Sequence, residues 1–118
     1  MQDPLIGLQA QFRELAKLVV EATNAEREAS GWTQVILDTR SPAHRKFQFT
    51  KMRAKVGDAL VSVSALYGDI APRIGKIFES DLGEPFFGIT LSINAEGEVE
   101  IRLNYDPNCP TDPAFVAW

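Results

Sequence analysis

The chain has 118 residues, 45% hydrophobic and 24% charged, with a formal net charge of −4. This is the composition of one folded domain, too apolar for a disordered segment and too short for two domains. No apolar run approaches the roughly 20 residues of a membrane span, so no membrane partner is expected.

Residues 1–4 hold no positive segment leading into an apolar one, so a secretory leader is not expected. Cys109 is the only cysteine, which rules out an internal disulfide and fits a reducing, cytoplasmic setting. The charge is unevenly spread. Residues 1–78 carry 11 Lys/Arg against 8 Asp/Glu, or +3, and residues 79–118 carry 1 against 8, or −7. Arg40, Arg45, Lys46, Lys51, Arg53 and Lys55 follow one another with no acid between them. An electrically two-sided domain is expected, which bears on association rather than on fold.

Asp3 and Pro4 suit an N-cap and first helical position. Leu5, Leu8, Phe12, Leu15, Val19 and Ala22 then recur at three- and four-residue spacing, predicting an amphipathic helix that ends at Ser30-Gly31. Residues 32–40 read as a first strand with Val35, Ile36 and Leu37 at its centre. Residues 46–55 read as a second, with Phe47 and Phe49 on one side and Lys46, Gln48 and Thr50 on the other. Residues 59–65 read as a third after the Gly57-Asp58 turn. Asp69 and Pro72 open a second helix whose stripe is Ile70, Ile74, Ile77 and Phe78 and whose exit is Leu82-Gly83. Gly75 within it costs about 1 kcal/mol relative to Ala, which suggests close packing or a shorter helix.

The strongest pattern in the chain spans residues 86–105. Phe87, Ile89, Leu91 and Ile93 alternate with Gly88, Thr90, Ser92 and Asn94. Beyond Asn94-Ala95-Glu96-Gly97, Val99, Ile101, Leu103 and Tyr105 alternate with Glu98, Glu100, Arg102 and Asn104. Period two on both sides of a Gly-containing turn predicts a β-hairpin with an apolar face turned to the core. The outer face is polar and mostly acidic. Residues 106–118 form an irregular Pro-rich segment, in which Phe115 and Trp118 either dock on the body or mark a shortened chain. The fold class is α+β: residues 1–118 form a single domain, one antiparallel sheet of about five strands with two helices packed on one face.

Chemistry-bearing groups are sparse. His44 lies in a loop beside Arg45 with no nucleophile or carboxylate next to it. Cys109 lacks an activating base, and one His with one Cys is too few for a metal site. Glu98 and Glu100 would project from one strand face about 7 Å apart, a spacing shared by almost every Glu-x-Glu strand. No phosphate-binding glycine motif is present. No catalytic, cofactor-binding or metal-binding residues are assigned, and no enzyme is expected.

Two binding surfaces remain. The hairpin's acidic face, with Glu84, Glu96, Glu98, Glu100, Arg102 and Asp106, suits a basic protein partner, and nucleases are the commonest of these because their sites attract phosphate. The alternative is a small-ligand or nucleic-acid module in region 40–55, around Arg45, Phe47, Phe49 and Lys51. Against it, paired aromatics on a strand more often belong to a core, and the net charge is negative.

The element order, the segment Pro85-Phe86-Phe87-Gly88-Ile89-Thr90-Leu91 and the run from Gly97 through Tyr105-Asp106 resemble the YezG-like family of bacterial immunity proteins. So do Gly31-Trp32 at the first strand and the alternating Phe47 and Phe49. The resemblance covers residues 5–106. The basic stretch 40–55, Pro72 and Gly75 in the second helix, and the Pro-rich end depart from it. It implies a cytoplasmic, non-catalytic antitoxin that binds and neutralises a cognate toxin, often a nuclease. It carries over no catalytic residue.

Overall fold

The structure, a computed structural model, describes residues 4–42, 48–79 and 85–118, with side chains from residue 7 onward. Helix α1 is Pro4–Ala25, and strands β1, β2 and β3 are Gln34–Arg40, Phe49–Val56 and Ala59–Ser62. Helix α2 is Ile70–Phe78, strands β4 and β5 are Gly88–Asn94 and Val99–Asn104, and helix α3 is Pro113–Ala117. Short 3-10 turns occupy Arg27–Ala29 and Cys109–Thr111. The strands form one antiparallel sheet in the order β3-β2-β1-β4-β5. The expected α+β architecture with a single five-stranded antiparallel sheet is therefore present.

Register explains which side chains are inside. Val35 and Leu37 of β1 stand opposite Ala54 and Met52 of β2 and opposite Ile93 and Leu91 of β4. All six are buried, and with Ile89 they make one continuous apolar surface. Helix α1 covers it with Leu8, Phe12, Leu15, Val19 and Ala22, the stripe that the spacing predicts. Helix α2 adds Ile70, Ile74, Ile77 and Phe78, and the Phe78 ring lies 5.6 Å from that of Phe86. Two polar groups inside this layer are satisfied locally. The Thr23 hydroxyl donates to the Val19 carbonyl at 2.7 Å, and the Thr39 and Thr50 hydroxyls bond each other across strands at 2.7 Å.

Several expected details change. Helix α1 stops at Ala25, and Gly31, at φ +79°, turns the chain after the 3-10 segment. Helix α2 ends at Phe78, and nothing approaches a Cβ built on Gly75, so close packing is not what places a glycine there. Asp69 makes no cap hydrogen bond; its carboxylate pairs with Arg73 at 3.0 Å. Asp3, His44, Arg45, Lys46, Phe47, Leu82, Gly83 and Glu84 lie outside the described residues.

The larger correction concerns the hairpin. Its β4 half is core, but β5 is an edge strand that the helices cover only in part. Val99 is 47% exposed and Ile101 40%, although both sit on the apolar face of the sheet. Phe49, for which a core place is the commoner expectation, is 46% exposed on the opposite face, where strand parity sets it with Lys51, Arg53 and Lys55.

Candidate functional site

The acidic hairpin is built by one asparagine and one glycine. The Asn94 Oδ1 accepts the backbone N–H groups of Glu96 at 3.0 Å and Glu98 at 2.9 Å. Gly97 closes the turn at φ +91°, a conformation that L side chains rarely adopt. Glu96 and Glu98 are thereby held, exposed, in the turn that precedes β5. Glu98 lies at the last paired position before β5, its carbonyl accepting the Asn94 N–H at 3.1 Å, two residues from Glu100 on the same face of the hairpin.

Glu100 belongs to β5 and stands opposite Ser92 on the face away from the helices. Its carboxylate accepts from the Arg102 Nε at 2.9 Å, an exposed pair that contributes little to stability. Asp106 follows the strand at its other end, where its carboxylate accepts the Asn108 N–H at 2.9 Å. The structure gathers Glu96, Glu98 and Glu100 at one end of the hairpin and sets Asp106 apart at the other.

Beside Glu100 and Arg102 lies a shallow depression of about 220 Å³, floored by Gln34, Ile36, Thr90 and Ser92. The Gln34 amide already donates to the Ser92 hydroxyl at 2.7 Å. Nothing here encloses a substrate between two carboxylates.

The basic strand meets the C-terminal segment, a contact that alternation alone does not reveal. Lys51 donates to the carbonyl oxygens of Phe115 at 2.6 Å and Val116 at 2.8 Å. Arg40 bonds Asp38 through two nitrogens and donates to the Cys109 carbonyl at 2.7 Å. Its guanidinium lies 4.3 Å from the centre of the buried Phe115 ring, and Arg53 lies 5.3 Å from that of Trp118. Phe115 and Trp118 therefore dock, on the sheet face opposite α1 and α2. Burial opposes the Arg40 charge, but the hydrogen bond and attraction of Asp38, aided by Cys109 and Asp112, hold its pKa above the ordinary arginine value.

Cys109 is buried beneath this cluster. Burial pushes its thiol pKa up; Arg40 pulls the other way, and Asp106, Asp38 and Asp112 add to the rise. A thiol held protonated is a poor nucleophile.

A cleft of about 670 Å³ runs past Asn24, Arg27, Gly31, Trp32 and Asn94. Its polar groups are turned on one another: the Trp32 indole donates to the Asn24 side-chain Oδ1 at 2.8 Å, and Asn94 holds the hairpin turn. Among the described residues, no three His, Cys, Asp or Glu side chains come together as metal ligands. Nor is any described helix long and apolar enough to cross a membrane.

Fold and surface together define a small α+β domain with an open-edged antiparallel sheet, acidic along its outer hairpin. No family model matches the chain, and no curated protein matches it.

Proposed function

We propose that this chain is a non-catalytic, cytoplasmic immunity protein that neutralises a basic toxin, of the nuclease class, by direct contact through its acidic hairpin. One observation carries the reading: Glu96, Glu98, Glu100 and Asp106 are all exposed on a sheet edge, with Arg102 the single cation among them. Such an array steers a basic surface into place and forms rim contacts once it arrives. The alternative in region 40–55 is weakened because Arg40, Lys51 and Arg53 are engaged by carbonyl oxygens, carboxylates and rings of the chain itself.

Co-expression with the product of a neighbouring toxin gene tests the proposal. Survival of the cells and co-elution of a one-to-one complex support it; persistent killing with no complex overturns it. In that complex, Glu96→Lys with Glu98→Lys weakens binding and flattens its salt dependence if the hairpin is the contact.

A further inference from the structure

We infer that strand β5 pairs with β5 of a second copy of this chain, joining two sheets edge to edge about a two-fold axis through Ile101.

The argument begins with backbone parity. Asn94 donates its N–H to the Glu98 carbonyl, so Asn94 and Glu98 form a hydrogen-bonded pair of the β4–β5 ladder. Antiparallel ladders alternate such pairs with non-bonded ones. Glu100, Arg102 and Asn104 therefore turn their backbone groups toward β4, and Val99, Ile101 and Leu103 turn theirs to the outer edge of the sheet, where no described strand pairs with them. A two-fold axis at Ile101 makes Ile101 opposite Ile101 a bonded pair, and likewise Val99 opposite Leu103 of the second copy. About six backbone hydrogen bonds result.

Side chains agree with that register. On the face shared with the helices, Val99, Ile101 and Leu103 meet Leu103, Ile101 and Val99 of the second copy. On the other face, Glu100 meets Arg102 and Arg102 meets Glu100, in non-bonded pairs where side chains approach most closely. The neighbouring two-fold registers fail. An axis at Glu100 sets Glu100 against itself, one at Arg102 sets Arg102 against itself, one at Val99 sets Glu98 against Glu100, and one at Leu103 sets Glu100 against Asp106, all like-charged. Glu96 and Asp106 of opposite copies approach each other beyond the strand ends, which confines the pairing to about residues 98–104.

The surface is also open in the right place. The exposed Val99 and Ile101 form one wall of an apolar groove of about 250 Å³, whose other wall is Phe12 and Ala16 of α1, with Gln9 and Arg13 at its margin. Ile101 of the second copy arrives beside this groove and shields it from water. The opposite sheet edge, β3, is four residues long, and short edge strands resist pairing.

Charge exchange tests the register with exposed residues that are not needed for folding. Wild-type chain is expected to show a dimer mass by light scattering across the micromolar range. Glu100→Arg alone and Arg102→Glu alone each place two like-charged pairs across the axis and raise the dimer Kd roughly tenfold or more. The double variant E100R/R102E recovers the dimer, and mixing the two single variants gives a heterodimer. Circular dichroism melts of the single variants report that they remain folded. A wild-type chain that stays monomeric, leaving the edge to another partner, overturns the inference; so does a dimer indifferent to both single changes. Toxin binding tested with Glu96→Lys and Glu98→Lys stands or falls separately.

Discussion

The Lys51 ammonium lies 2.6 Å from the Phe115 carbonyl oxygen, so a side chain from the second strand of the sheet reaches the last turn of α3. The Phe115 carbonyl also accepts the Trp118 N–H at 3.2 Å, and the Lys51 cation adds to it at a helix end that carries a partial negative charge. Lys51→Met keeps the apolar stem and removes the charge. The expected cost is about 1.5–3 kcal/mol, typical of hydrogen bonds to charged groups. Hydrogen exchange should accelerate at residues 115–118 and stay unchanged in β1 and β4. Uniform acceleration throughout the sheet would show that the contact does not act locally.

Gly88 marks a second contact between the sheet and the C-terminal segment. A Cβ built there would lie 3.0 Å from the Asn104 Cβ, 3.2 Å from the Cys109 Sγ and 3.7 Å from the Arg40 Cγ. Gly88→Ala therefore overpacks the site and should cost about 1–3 kcal/mol. Cys109→Ala removes one obstruction, so the double variant should lose less than the sum of the single losses. Additive losses in denaturant melts would show that Cys109 is not what crowds the methyl group.

Much of this architecture could be read from residue pattern, and the exceptions share one cause. The α1 stripe, β1 and β4 follow period 3.6 or period 2, because each has one face fully covered. Strand order is not written in alternation. The sequence pattern of residues 99–105 matches that of 87–93, yet β4 lies inside the sheet and β5 on its edge. Ile101 is therefore exposed while its partner Leu91 is buried. Parity correctly sets Phe49 on the side away from Thr50, with Lys51 and Arg53, but which of those sides the helices cover depends on contacts far away in sequence. The acidic residues of the hairpin were legible, since charge needs no tertiary knowledge. Their division between the turn, the strand and the far end was not, because it depends on where Asn94 ends the pairing.

The raised thiol pKa of Cys109 gives a pH dependence with a definite sign. In the unfolded chain the thiol ionises near its ordinary value of 9.0, and in the folded chain it does so higher, chiefly through burial. Between those two values the unfolded state holds fewer protons, so stability falls as pH rises. The contribution is fully present below about pH 8 and is lost as pH climbs through the folded value. Lys and Tyr titrate nearby, so the comparison is with Cys109→Ala: the wild-type chain should lose more stability between about pH 8 and 10 than the variant. Parallel pH profiles would refute the assignment. Iodoacetamide should accordingly modify Cys109 much faster in denaturant than in the native protein.

Asn94 and Gly97 set the register on which the outer strand depends. The Asn94 side chain accepts two backbone N–H groups, and Gly97 occupies φ +91° with nothing within 4 Å of a Cβ built there. Asn94→Ala releases both donors to water, at a cost of about 1 kcal/mol. Gly97→Ala meets no steric obstruction, so its cost is backbone strain alone, about 1–2 kcal/mol. Both variants should speed amide exchange in β5 while leaving β1 and β2 protected. A slip of one residue would turn Val99, Ile101 and Leu103 to the polar face and carry Glu100 and Arg102 to the apolar one. Cross-strand contacts between Leu91 and Ile101, read by nuclear Overhauser effects, distinguish a loosened native turn from a slipped one. Their persistence in Asn94→Ala, with faster exchange at Val99 and Ile101, is the expected result. Unchanged exchange in both variants would show that pairing with β4 sets the register without help from the turn.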